Sequence, residues 1–239
     1  FEPYEKNQEN YGVLLLDQKS LQDTIQRAGT AGFPLAIHAI GDRANNTVLN
    51  AIEASSKIDD FSPWQLLPHR IEHAQLLLNE DFPRFKALSV AASMQPLHAP
   101  SDMLMAEHNW GVRCQRAYAW KSLLEQGVRL LFGSDAPVES PNPFLGVHAA
   151  VTRRRIDGTP CKEGWYSNQR LSIHEAFQAY TQEPACCYAS PQITGRLDPL
   201  SAADLIVLDE DPFQVDPDQL HQMDIAGTMV GGKWRYRNF

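Results

Sequence analysis

The chain has no apolar stretch long enough to span a bilayer, no CxxC pair and no excess of basic charge. Each absence excludes something. A transmembrane helix needs about 20 consecutive apolar residues, so no membrane partner is expected. Cys114, Cys161, Cys186 and Cys187 form neither a disulfide framework nor a zinc ribbon; reduced thiols in a cytoplasmic protein are expected. With 29 acidic against 21 basic side chains and a net charge of −8, little is available to neutralise phosphates, so no nucleic-acid partner is expected. The one basic run, Arg153-Arg154-Arg155, reads as a solvated face. There is no P-loop, no dinucleotide fingerprint and no G-x-S-x-G, which removes the common nucleotide-binding and serine-hydrolase readings. The opening, Phe1 to Tyr11, is polar, unlike a signal peptide, and lacks an initiator methionine. Material upstream is therefore expected to be missing.

What is present is an alternation. The segment 20–31 reads as an amphipathic helix with Ser20 as its N-cap, ending near Gly32. FPLAIHAIGD is a buried strand closed by a turn, and 43–56 returns to helical periodicity. LLPHRIEHAQ is strand-like, NEDFPRFKAL a short helix, and SVAASMQPLH a strand stopped by Pro96. The segment 117–127 reads as a helix, VRLLFGSDAP as a strand and PFLGVHAAVTRRR as a helix. Apolar strands alternating with helices mean a parallel sheet covered on both faces or closed into a barrel. A complete eight-stranded barrel takes about 250 residues, so four such units make about half of one. Further on, 172–190 reads as a helix with a break at Pro184, Asp204 to Leu208 as a strand, and AGTMVGGKWRYR as a hairpin turned at Gly231-Gly232.

In a parallel α/β barrel the active site lies at the C-terminal ends of the strands. The polar residues there are His38, His73, Gln95 with His98 just past Pro96, and Asp135. Two imidazoles and a carboxylate from separate strands suit zinc or a similar divalent ion. Such an ion lowers the pKa of bound water to about 7, and Asp135 is placed to act both as a ligand and as the group that moves the proton. His98, Arg113 and Gln95 are candidates for touching a small-molecule substrate. Asp42 caps the following helix or partners His38.

HAIGDRA, RIEHAQ, MQPLHAP, FGSDAP and ADLIVLD, in this order and spacing, resemble the amidohydrolase superfamily, most closely its amidohydrolase-3 branch. The resemblance covers nearly the whole chain. It implies the second half of a (β/α)8 TIM-type barrel over 1–190 and the C-terminal part of a small β-sandwich over 191–239. It also implies His38 and His73 as metal ligands and Asp135 as ligand and general base. The implied chemistry is hydrolysis of an amide or related C–N bond, with one or two ions in the intact enzyme. Leu200-Ser201 stand where the family has Gly-Lys, which concerns a turn. The family's HxH pair and bridging lysine or acidic residue are not found, so an N-terminal part is expected to be missing and the site incomplete. A homo-oligomer, or pairing with that missing half, follows as an expectation. Two other readings stand beside the enzyme: a non-catalytic or regulatory remnant that keeps the scaffold, and an H-x-x-E-H metalloprotease built on His69, Glu72 and His73.

Overall fold

The computed structural model describes residues 1–56, 67–187 and 194–239. Among the described residues seven strands form two sheets. The first contains β1 (Ala36–Ala39), β2 (Arg70–His73), β3 (Ala91–Met94) and β4 (Leu130–Phe132), in that order. β1, β2 and β3 pair in parallel, and the amide of Ala92 donates to the carbonyl of Arg129 at the start of β4. Helices connect the strands, which makes this a parallel α/β sheet of the kind found in (β/α)-barrels. The second sheet is antiparallel, with β5 (Leu205–Leu208), β6 (Ile225–Val230) and β7 (Lys233–Arg237) in order. Its β6–β7 hairpin turns at Gly231 and Gly232, with φ of +56° and +73°. Two positive φ values define the tight turn that matches strand twist, and glycine takes them without strain.

The chain divides into two compact units. One comprises 1–94 and 101–130, the other 95–100 and 131–239. In the first, the strands and their helices bury Ile71, Leu76, Phe85, Met94 and Trp120 almost completely. Its opening helix α1 (Gln18–Thr30) is capped by Asp17, whose carboxylate accepts from the amide of Ser20 at 2.8 Å. This corrects the expectation of Ser20 as the cap. The helix starts one turn earlier because a carboxylate at its N-terminus meets both the free amides and the positive end of the helix dipole. α2 (Asp42–Ser56) and α3 (Phe82–Ala87) fall where the periodicity places them. The strand expected from LLPHRIEHAQ shortens to β2, with Leu66 outside the described residues.

One helix went unread in the sequence. α4 (His98–Trp110) follows Pro96 directly and contains Pro100. Proline is tolerated in a first turn, where its missing N–H has no intrahelical partner. The helix expected over 117–127 contracts to α5 (Trp120–Glu125). Ala117 instead bridges to Leu76, and Tyr118 takes φ of +50° and donates its amide to the carbonyl of Gln75 at 2.7 Å.

In the second unit α6 (Pro143–Thr152) packs against α7 (Ile173–Tyr180). Gly146 faces Tyr180 so closely that a Cβ there would lie 1.8 Å from the phenol oxygen. Burial pushes the Tyr180 hydroxyl's pKa well above its ordinary value. α7 carries a full capping box between Ser172 and Glu175. It ends at Thr181, not at the expected Pro184, and Pro184 sits within the short α8 (Gln182–Ala185). Residues 188–190 of the expected helix lie outside the described residues.

The basic run is not a solvated face. Arg153 is fully buried, caps α6 with φ of +58°, donates to the carbonyl of Trp165 at 2.8 Å and lies over that indole ring. Arg154 pairs with Asp218, and Arg155 donates to the carbonyl of Pro100. These guanidiniums bind backbone, aromatic and carboxylate partners inside the unit. None of the four cysteines is in a disulfide. Among the described residues no helix is long and apolar enough to cross a membrane.

Candidate metal centre

His38 and His73 come from neighbouring strands of the first unit. The register pairs His38 with Glu72 and Ala39 with His73. In a regular sheet paired residues share a face and successive ones alternate, which would put His38 and His73 on opposite faces. Their rings nevertheless meet edge to face, with centroids 4.5 Å apart. The reason is local. His73 takes φ of +74° and Ala74 +45°, both in the left-handed region. Such backbone costs a non-glycine residue on the order of 1–2 kcal/mol. It is held by the amides of Ala74 and Leu76, which donate to the carbonyls of Ala39 and Ile40 at 3.0 and 2.9 Å. The twist turns the imidazole of His73 toward His38.

Asn45, unremarked in the sequence, locks this arrangement. Its fully buried side-chain amide lies within hydrogen-bonding distance of the carbonyls of Ala39, Ile40, Gly41 and Leu76. It thus ties the loop after β1 to the loop after β2. Three residues after an acidic helix start, an asparagine carries no signal distinguishing it from a solvent-facing one. Asp42 opens α2 and accepts from the Arg43 amide at 2.7 Å and from the Phe1 amino group at 2.9 Å. Arg113 is buried and donates to the carbonyls of Glu2, Pro3 and Trp110. A cavity of about 650 Å³ within this unit is lined by His38, Asp42, Arg113, Trp110, Tyr11 and Leu15 among others. That volume is of the size that takes small molecules.

His69 begins the same segment and behaves differently. Its Nδ1 accepts from the Leu35 amide at 2.9 Å, and burial lowers its pKa to about 4. Glu72 accepts from the Arg70 guanidinium. The H-x-x-E-H reading needs a helix that brings both histidines to one face, whereas Arg70–His73 is a strand. Four residues along a strand separate two side chains by roughly 13 Å, so the metalloprotease reading falls.

In the second unit His98 opens α4 and is buried. Its Nε2 lies 3.4 Å from Oδ2 of Asp135, and its Nδ1 lies 3.4 Å from Oε1 of Glu139. Asp135 is an exposed residue with φ of +58°, at a turn closed by the Val138 amide on its carbonyl at 2.8 Å. Gln95 follows β3 and is buried. Glu139 was not singled out from the sequence, where an acidic residue between Val138 and Ser140 reads as ordinary loop.

Each unit thus offers donors able to hold a metal ion: His73 in the first, His98 and Asp135 in the second. His38 stands against His73. Imidazoles and one carboxylate fit a single divalent ion of borderline hardness. A left-handed backbone at both His73 and Asp135, neither of them glycine, is the kind of strain that structures retain where side-chain aim matters. The fold is of the parallel α/β class, and its strand ends carry donors of the kind that hold a divalent ion.

Comparison with known proteins carries this to a family. The amidohydrolase family model matches residues 1–236, and the chain belongs to that family. A Bacillus subtilis (strain 168) protein named as an amidohydrolase, YtcJ, is 34% identical over 239 residues, covering 98% of this chain and 43% of that protein. The N-substituted formamide deformylase of Arthrobacter pascens is 26% identical, covering 94% and 40%. The crystal structure of a metal-dependent hydrolase from Pyrococcus horikoshii superposes with a TM-score of 0.77 at 31% identity, covering 90% and 42%. The chain thus spans about two-fifths of the length of the relatives it matches. The expectation of a family portion recognisable by its missing N-terminal HxH part is corrected here. The match begins at residue 1 and runs to 236, so the family pattern extends through nearly the whole sequence.

Proposed function

We propose that this protein serves as a metal-dependent hydrolase of an amide or related C–N bond in a small molecule. The observation that carries it is the left-handed turn at His73, which brings its ring against His38 at the ends of adjacent parallel strands. His38, His73 and Asp135 would hold the ion, joined by His98, whose Nε2 lies beside the Asp135 carboxylate. Zinc is the ion this donor set favours. When bound, such an ion activates water for attack and polarises the carbonyl. Asp135 is exposed enough to accept the proton of the attacking water at Oδ1 or Oδ2 and return it to the leaving nitrogen. Gln95 would touch the substrate, and the cavity lined by His38 has the volume of a small-molecule site. The likeness to a deformylase of N-substituted formamides supports an N-acyl or N-formyl compound as the substrate class.

The same reading makes the four parallel strands the second half of a (β/α)8 barrel. Residues 1–190 then form the hydrolase barrel portion and 191–239 the β-sandwich portion. The measurement is metal content by elemental analysis of purified chain beside a His38→Ala/His73→Ala variant, with hydrolysis of a panel of N-formyl and N-acyl amines. Near-stoichiometric zinc in the parent, lost in the variant, is expected. Zinc retained in the variant would overturn the ligand assignment. Parent protein that holds zinc yet leaves every C–N substrate intact would overturn the reaction.

A further inference from the structure

The turn after β4 carries a second carboxylate, that of Glu139, which the chemistry above leaves unused. The imidazole of His98 lies between two acidic groups, with Nε2 3.4 Å from Asp135 and Nδ1 3.4 Å from Glu139. His98's side chain is only 7% exposed, so water does not freely replace either partner. The Glu139 side chain is 19% exposed, against 39% for Asp135, so Glu139 is the more enclosed of the two. A neutral imidazole has one N–H and one lone pair. A ring that ligates a cation through one nitrogen therefore keeps its N–H on the other.

We propose that Glu139 is a positioning residue that accepts the Nδ1–H of His98 and so presents the Nε2 lone pair on the Asp135 side, toward a divalent ion. The role rests on the metal reading proposed above. With a cation on that side, the ring's one remaining proton is on Nδ1, where Glu139 Oε1 stands. One short segment thus supplies both carboxylates, four residues apart, across the turn closed by Val138 on Asp135. A carboxylate behind a ligating histidine fixes ring orientation and tautomer and raises ligand basicity, and its loss typically costs about 10- to 100-fold in metal affinity.

The test is zinc titration of metal-stripped full chain against a chelator, with nitrogen-15 spectra of the histidines in zinc-loaded protein. His98 is assigned by the resonance missing in His98→Gln. Glu139→Ala is expected to weaken zinc binding about 10- to 100-fold and to lose the hydrogen-bonded Nδ1–H signal of His98. Glu139→Gln retains an acceptor oxygen at the same reach and is expected to recover most of both. A purely structural role would not produce that rescue. Unchanged affinity in Glu139→Ala, a Gln variant as weak as the Ala variant, or a His98 proton found on Nε2 each overturns the proposal. A parent chain that takes up no zinc instead removes the metal reading itself, and this role with it.

Discussion

His69 and His73 stand at opposite ends of one strand segment, four residues apart, and differ in nearly every physical respect. His69 is buried, its ring accepts from a neighbouring backbone amide, and desolvation keeps it neutral. His73 is half-buried, sits on strained left-handed backbone and has its ring turned against a second imidazole. The entering end of the strand satisfies backbone; the leaving end assembles a site. In parallel sheets the leaving ends carry the loops, which are free to take chemistry without disturbing the core.

The largest way to break this contrast is His73→Ala. It is expected to lower metal affinity at least 100-fold while shifting the melting temperature by only a few degrees, read by chelator competition beside a thermal melt. His69→Ala should do the reverse. Losing the partner of the half-buried Leu35 amide costs about 1 kcal/mol, while metal per folded chain stays unchanged, as urea denaturation and elemental analysis would report. If His69→Ala empties the site, the two ends are not independent.

Acid sharpens the comparison further. His69 has its pKa lowered to about 4 by burial, and His148 likewise by burial and by the neighbouring His221. Between about 4 and 6.5 the unfolded chain binds protons that the folded chain refuses, so stability falls as pH drops through that window and is flat above it. Urea midpoints at pH 7.5 and 5 should show the loss. His69→Gln, whose amide oxygen still accepts from Leu35, should remove part of it.

The smallest effect concerns strain that serves no site. Leu200 is fully exposed with φ of +75°, as left-handed as His73. Leu200→Gly is expected to stabilise the chain by up to about 1 kcal/mol, seen as a slightly higher melting temperature. His73→Gly would relieve the same strain and lose metal.

Much of this was legible in the residues. The alternation of apolar runs and amphipathic stretches marked all four parallel strands and the C-terminal hairpin, although β1, expected as a buried strand, buries only Ala39. His38, His73 and Asp135 stood out because they close those runs. α4 was missed because Pro96 and Pro100 look like breakers, and a proline's tolerance depends on where the first turn begins. Arg153 was misjudged because charge patterns carry no record of an indole or a carbonyl waiting in the interior. Asn45 and Glu139 looked like any helix or loop polar residue.

By itself, then, the sequence determined the class of fold, the strand ends where chemistry gathers and the types of donor available, since periodicity and residue chemistry are local properties. Only the tertiary structure decided that a left-handed turn swings His73 onto the face of His38, that Asn45 holds that turn, and that His98 sits between two carboxylates. Those depend on backbone torsions and on contacts between residues far apart in the chain, which no local pattern encodes.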